Sequence, residues 1–495
     1  MTLDVYIEGH HAGRLARDSA DRTVFTYLDG YAQSGSSTPL SLSMPKRQAE
    51  HANSATNRWI ENLLPENEDT RTAIARKFDA RATDAFSLLH YVGLDVAGAV
   101  QFVPEGETIV RDGELIPWSA TRVAAEIDRL HSNPAHIDPD FEIGRWSLAG
   151  QHGKFALARV DGRWVEPTGS QASTHIFKVG MDRRAHSDIA EFVTMRAAKN
   201  MGLLVSDVDL LEFDGRLAVA VKRYDRIERD GKVVRLHQED FCQALGISSA
   251  SKYQSDGGPA LRDIEMLLRA NVTPEHRERS IVEFARLQAF NMVVGNTDAH
   301  GKNGSLLLRG SQVRLAPAYD LISAAFVWAP ANVWFKGKMA MKFGGDYRTR
   351  GLDAHSAAKA ANDLGVDPDE YVSAVSDFAA QVGPALDSAL DDAGTAGVDP
   401  GVVESLRSRA HEWAGRVDGV CGPAQLGAAA DLAAVSPRRT QKTGSLRAPA
   451  PSAIQPHRDA AVANPCDIYI PRSRTVCVLP EGHPGWPTTG HRSKH

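Results

Sequence analysis

The residues best suited to chemistry lie between positions 297 and 320. The run Thr297-Asp298-Ala299-His300-Gly301-Lys302-Asn303 sets an acid, an imidazole, a cation and an amide in one short loop, and Tyr319-Asp320 follows a hairpin-like pair, Ser305 to Leu308 and Gln312 to Leu315. Asp298 and Asn303 stand five residues apart. Phosphoryl transfer from ATP needs this order: a first Asp to take or orient the proton of an acceptor hydroxyl, an Asn to hold a metal ion, and a second Asp to bridge metal and phosphates. The transferred group spreads negative charge over its oxygens, so Mg²⁺ and fixed cations must surround it. Carboxylate and amide oxygens suit Mg²⁺ better than thiols or imidazoles do. The plain alternative is a polar turn, because Asn, Asp and Gly dominate turns for backbone reasons.

Phosphates also need cations and a cradle. Lys178 lies in the strand-like Thr174 to Val179, where alternation turns it to one face, and a helix carrying Glu191 follows. A strand Lys held by a helix Glu orients phosphates in protein kinases; Asp188-x-x-Glu191 also reads as a capping box. Gly150 and Gly153 flank a loop ending at Lys154, where bare backbone N–H groups can approach phosphates, although a hairpin turn explains the glycines equally well. Ala218 to Val221 reads as a buried strand that leaves through Lys222-Arg223-Tyr224, where a nucleobase can meet backbone groups or Tyr224 can simply fill core.

These residues need elements to hold them. A chain of 495 residues, 42% hydrophobic and 24% charged, has volume for two to four domains and ample core. Its net charge of -6 argues against a uniformly basic nucleic-acid surface, and its four cysteines are too few to staple it. The N-terminus alternates like a strand and carries acids where a secretory signal carries bases, and no stretch approaches membrane-spanning length. A cytoplasmic protein is expected. The pattern predicts an α+β unit over residues 1–105, with helices at Ala55 to Leu64 and Asp69 to Phe78; a sheet interrupted by a helix at Ile189 to Met201 over 140–237; and a mostly helical region over 238–415, with a helix at Ile281 to Val294.

Residues 436–460 read as a flexible linker rich in Pro, Ser and Ala. From 436 onward nine Lys and Arg face three acids. Within 461–495, Cys466, Cys477, His483 and His491 form a ligand set suited to Zn²⁺ in a small knuckle, against the alternative of an unstructured tail with incidental Cys and His.

The ordered motifs Ser147-Leu148-Ala149-Gly150, Thr174-His175-Ile176-x-Lys178, Gln238-Glu239-Asp240-x-Cys242-Gln243, Lys252-Tyr253-x-Ser255-Asp256-Gly257-Gly258-Pro259, Thr297-Asp298-x-His300-x-Lys302-Asn303 and Pro317-x-Tyr319-Asp320 resemble the HipA family of bacterial serine/threonine kinase toxins. Pro39 to Pro45, Asn62-Leu63-Leu64-Pro65 and Val96-x-Gly98-Ala99-Val100 extend the likeness over residues 1–415. The resemblance implies a two-lobed protein-kinase-like fold with an N-terminal α+β subdomain. By position it makes Asp298 the catalytic base. It places ATP against Ala149, Gly150, Gln151, His152, Gly153, Lys154, Lys178, Lys222, Arg223, Tyr224, Gln238, His300, Gly301, Lys302, Asn303, Tyr319 and Asp320, with Mg²⁺ on Asn303 and Asp320. It implies autophosphorylation at Ser147, a serine of an aminoacyl-tRNA synthetase as substrate, and a HipB-like helix-turn-helix antitoxin that binds operator DNA. Two departures stand out: Gly150-Gln151-His152-Gly153-Lys154 where Gly-Ala-Gln-x-Lys is common, and Lys222 where a Glu often sits. The rival readings are a non-enzymatic co-repressor that keeps the fold and a small-molecule phosphotransferase.

Overall fold

The computed structural model describes residues 1–80, 83–107, 109, 113–135, 153–180, 186–229 and 231–421. The alternation at the N-terminus does make a strand: in β1 (Thr2–Ile7) the side chains of Leu3, Val5 and Ile7 are fully buried. It belongs to an antiparallel sheet with β2 (His10–Arg17), β3 (Thr23–Tyr27), β4 (Glu50–His51) and β5 (Val100–Pro104), in the order β4-β3-β2-β1-β5. Four helices fall between β3 and β5: α1 (Asp29–Gln33), α2 (Asn53–Glu61), α3 (Glu68–Lys77) and α4 (Ala85–Val92). Trp59, Phe86 and Leu89 from α2 and α4 share a core with Phe25 and Phe102. Helix α2 ends at Glu61 rather than Leu64, since the residue before Pro65 is pushed out of helical geometry. Leu63 and Leu64 are buried from the turn instead.

The second sheet contains β6 (Leu115–Pro117), β7 (Lys154–Val160), β8 (Arg163–Pro167), β9 (His175–Lys178), β10 (Val208–Phe213) and β11 (Arg216–Lys222), ordered β10-β11-β9-β7-β8-β6. Both faces are covered. Helix α5 (Ala120–Ser132) buries Val123 and Ile127 with Phe155, Phe177, Ala218 and Ala220, whereas α6 (Ser187–Asn200) buries Ile189 and Phe192 with Val219 and Val221. The period of two along β11 thus assigns its side chains to opposite sides.

Beyond β11 the chain forms a hairpin, β12 (Arg226–Arg229) and β13 (Lys232–Arg235), then β14 (His237–Asp240), which pairs with β15 (Ser305–Arg309); β15 in turn pairs with β16 (Gln312–Leu315). The helices are α7 (Phe241–Leu245), α8 (Leu261–Asn271), α9 (Pro274–Val294), α10 (Ala324–Val327), α11 (Pro330–Lys336), α12 (Ala354–Leu364), α13 (Pro368–Thr395) and α14 (Pro400–Cys421). One more hairpin, β17 (Lys338–Phe343) and β18 (Asp346–Arg348), interrupts this helical region. Helix α9 begins at Pro274, seven residues before its apolar pattern, because Thr273-Pro274 supplies the start signal. Among the described residues no helix is long and apolar enough to cross a membrane.

The N-terminal unit is bonded to both of the others. Its Asp95 meets Arg226 at 2.9 Å, Arg235 at 3.3 Å and Arg223 at 3.5 Å, and the Gly98 N–H donates to Asp225 at 2.7 Å. Burial would raise the Asp95 carboxyl, but Arg223, Arg226 and Arg235 outweigh it and hold the group far below the usual range. On the other side the Leu42 N–H donates to Glu239 at 2.8 Å and the Ser43 hydroxyl to the Gln243 carbonyl at 2.7 Å.

Candidate active site

A cavity of about 410 Å³ opens between the second sheet and the loop after α9. On β9, Phe177 turns into the α5 core, and alternation directs Ile176 and Lys178 to the cavity. The Lys178 ammonium pairs with Glu191 of α6 and, at 2.6 Å, with Asp320. Burial disfavours this ammonium, yet Asp320 and Glu191 outweigh it and hold it protonated above the ordinary lysine range. Glu191 is therefore a partner of Lys178 and not half of a capping box; α6 starts after His186, which makes no side-chain cap bond. Lys154 begins β7 opposite Lys178. Burial, then the neighbouring Lys178 charge, pulls it down to about 8.

The opposite wall is the loop 297–303. Helix α9 ends at Gly295 in left-handed geometry (φ +73°), where a Cβ would lie 2.5 Å from the Trp413 ring, so only glycine fits. The Asp298 carbonyl then accepts the His300 N–H and the Asn303 side-chain N–H, both at 2.8 Å. These bonds fix the loop and leave the Asn303 amide oxygen on the side away from that donor. The Asp298 carboxylate accepts the Tyr253 hydroxyl at 2.5 Å. Burial pushes this carboxyl upward; the Tyr253 bond opposes the shift and the charge of Asp320 adds to it. Burial, then Lys252, depresses His300 to about 3, so its ring is neutral.

Asp320 itself sits at φ +58°, a left-handed conformation that Asp tolerates. The preceding Tyr319 hydroxyl donates to the Lys302 carbonyl at 2.7 Å. Tyr319 stacks on Tyr224, with centroids 5.7 Å apart, and the Tyr224 hydroxyl donates to Gln238. Lys222 ends β11 as an exposed residue on the same cavity.

Three residues expected against nucleotide have other commitments. The Arg223 guanidinium is bonded to Asp225, Ser173 and the Val96 carbonyl, so what it offers a ligand is backbone. Lys302 reaches Asp240 and the Asn62 side chain, each at 2.8 Å. Gly301 lies against Pro259 and Cys242, which a Cβ would approach to 2.7 and 2.8 Å, so it is a packing glycine. Gly153 donates no side chain; its carbonyl accepts the Val179 N–H at 3.1 Å, continuing the β7–β9 pairing. Ser147, Ala149, Gly150, Gln151, His152, Cys466, Cys477, His483 and His491 lie outside the described residues. Among the lining residues that received no role from the sequence are Asn62, Glu66, Lys252 and Tyr253. Asn62, Lys252 and Tyr253 belong to the Asn62 to Pro65 and Lys252 to Pro259 motifs, and Glu66 directly follows the first of these.

Among the described residues no cluster of three or more His, Cys, Asp and Glu side chains stands ready for a metal ion. Of the carboxylates and amides that line the cavity, Asp320 and Asn303 are the two that the sequence assigned to Mg²⁺. An Asp and an Asn oxygen fit Mg²⁺ bound jointly with substrate phosphates and do not fit a dedicated cage.

Residues 3–103 match the HipA N-terminal domain and residues 146–386 the HipA-like C-terminal domain. A Sinorhizobium fredii protein named as kinase Y4mE is 35% identical over 371 residues, 74% of this chain and 86% of its own. The serine/threonine-protein kinase toxin HipA of Shewanella oneidensis is 30% identical over 402 residues, 78% of this chain and 88% of its own. The chain belongs to the HipA family. A solved Shewanella oneidensis complex of HipA, HipB and operator DNA contains a chain that superposes with a TM-score of 0.69 at 27% identity, covering 85% of this chain and 99% of that one. The two-lobed kinase-like fold expected from the sequence is thus the HipA fold, and the chain is a kinase of the serine/threonine class to which its HipA relatives are assigned.

Proposed function

We propose that this protein is an ATP- and Mg²⁺-dependent serine/threonine protein kinase acting in the cytoplasm as the toxin of a toxin–antitoxin pair. The observation that carries this reading is the meeting of Lys178, Glu191 and Asp320 across one cavity from Asp298 and Asn303. Lys178 and Lys154 bind the phosphates of ATP from the sheet side, and Glu191 keeps Lys178 extended. Tyr224, Gln238 and Tyr319 form the nucleoside end. Asn303 and Asp320 hold Mg²⁺, which when bound neutralises charge on the transferring group. Asp298 orients the acceptor hydroxyl and receives its proton; its upward-shifted carboxyl is a stronger base than an exposed Asp.

The acceptor is a protein serine, with an aminoacyl-tRNA synthetase the target class that the family resemblance favours. Ser147 is the autophosphorylated residue, and its phosphate, carrying about -1.5 to -2 charge, rearranges the loop ending at Lys154. The partner is a HipB-like helix-turn-helix antitoxin that connects the kinase to operator DNA, a reading supported by the Shewanella complex that holds HipA, HipB and operator DNA together. Incubation of the full chain with γ-labelled ATP, Mg²⁺ and a host lysate tests the reading. Label on Ser147 and on one synthetase, absent with Asp298→Ala, supports it; equal labelling by parent and variant removes it.

A further inference from the structure

The Lys252 to Pro259 motif has no place in the mechanism above, yet it grips the catalytic loop at three points. The Gly301 N–H donates to the Lys252 carbonyl at 3.1 Å, the Tyr253 hydroxyl donates to Asp298 at 2.5 Å, and the rings of Tyr253 and His300 meet edge to face with centroids 5.1 Å apart. The segment is shaped for this. Gly257 turns the chain at φ +92°, and a Cβ on Gly258 would lie 2.4 Å from the Ser251 carbonyl oxygen and 2.7 Å from those of Lys252 and Tyr253. The turn closes only without a side chain there.

Lys252 itself lines the cavity, with its ammonium 5.4 Å from the centre of the Tyr253 ring. Its Nζ pairs at 2.5 Å with Glu66, which arrives from the N-terminal unit immediately after Pro65 and is also largely buried. Lys154 and Lys178 supply positive charge from the sheet. On the acceptor side the other candidates are occupied or neutral: Lys302 is spent on Asp240 and Asn62, and the His300 Nδ1 accepts the Lys302 N–H at 3.3 Å. The Lys252 charge bears on both sides of the acceptor loop, favouring the ionised Asp298 carboxylate and disfavouring protonation of the His300 ring.

We infer that Lys252 is a catalytic cation on the acceptor side, that Glu66 positions it, and that the N-terminal unit thereby completes the active site. This rests on the kinase reading. In the step, the acceptor oxygen bonds to the γ-phosphorus while its proton passes to Asp298. The bond from the γ-phosphorus to the bridging oxygen breaks, and ADP leaves with that electron pair. Negative charge accumulated on the transferring oxygens faces Lys154 and Lys178 on one side and Lys252 on the other. Glu66 keeps the Lys252 ammonium in place before substrate arrives and shares it once the phosphoryl group is present.

The test uses the full chain, ATP and Mg²⁺, following ADP release with water or the chain's own hydroxyls as acceptor, and ADP·Mg²⁺ affinity by calorimetry. Lys252→Met is expected to lower kcat about 100-fold, the scale of losing one preorganised charge partner, with nucleotide affinity within about threefold of the parent. Lys252→Arg is expected to restore most of kcat. Glu66→Gln is expected to lower kcat about tenfold with KM for ATP little changed. An unchanged kcat in Lys252→Met overturns the inference, as does a loss of nucleotide affinity matching the loss of kcat, which marks a structural role. A parent no more active than Asp298→Ala overturns the kinase reading itself and is recognised because every protein then behaves alike.

Discussion

Lys154 and Lys178 stand directly opposite each other on neighbouring antiparallel strands, both turned to the cavity. Like charges in such positions repel, and Glu191 and Asp320 compensate the pair only in part: Lys178 is held protonated while Lys154 is pulled down to about 8. An arriving polyphosphate relieves the repulsion. Nucleotide affinity should therefore be highest below that value, where Lys154 is charged, and should weaken roughly tenfold between pH 7.5 and 9.5 as it loses its proton. Calorimetry with ADP·Mg²⁺ measures this, and Lys154→Met should flatten the slope.

Asp298 must be ionised to accept a proton. Its carboxyl lies above the ordinary aspartate range, so the acid limb of kcat should fall at a higher pH than an exposed Asp would give. The Tyr253 hydroxyl works against that shift by stabilising the carboxylate. Tyr253→Phe should accordingly move the acid limb further upward, as read from kcat between pH 4 and 8, while Tyr253→Phe and the parent converge on the alkaline side.

The joint at Asp95 makes a stability prediction. Asp95→Ala leaves Arg223, Arg226 and Arg235 buried with one carboxylate fewer, and should cost about 3–5 kcal/mol in urea denaturation. The sign of its pH dependence follows from the depressed carboxyl. Asp95 binds its proton more weakly folded than unfolded, so its contribution is complete above the unfolded value of about 3.9 and fades only as pH drops below it. The deficit of Asp95→Ala should be constant from pH 5 to 8 and shrink in stronger acid.

Gly295→Ala combines two penalties, a left-handed backbone and a Cβ pressed 2.5 Å from the Trp413 ring. A loss of about 2–4 kcal/mol is expected from the two effects together. Trp413→Phe should cost less by itself, though it forfeits the indole N–H bond to the Val293 carbonyl at 2.8 Å. Thermal midpoints of the single variants and of the double variant check whether the two sites are coupled.

Local pattern carried much of this structure, and distance in the chain decided where it failed. Strand alternation located Lys178, and the helix-loop-hairpin order located Asp298, Asn303 and Asp320, because each is set by its near neighbours. Glu66 and Lys252 are 186 residues apart and Asn62 and Lys302 are 240 apart, so nothing local announces either pair. Arg223 and Lys302 sit beside nucleotide-facing residues in sequence, yet buried acids claim their charges: Asp225, two residues on, with the distant Asp95 for Arg223, and Asp240 for Lys302. The hairpins β12–β13 and β17–β18 were hidden for another reason: their short strands lack clean alternation and lie within charged or helical surroundings.

Trp413 bears on how the enzyme is made. Its indole forms the wall behind Gly295, at the base of the loop that carries Asp298, and it belongs to the last helix of the described chain. A ribosome builds the protein from the other end. The wall behind Gly295 is therefore complete only once the helix that carries residue 413 has docked, so the base of this loop is among the last parts of the described chain to gain its packing.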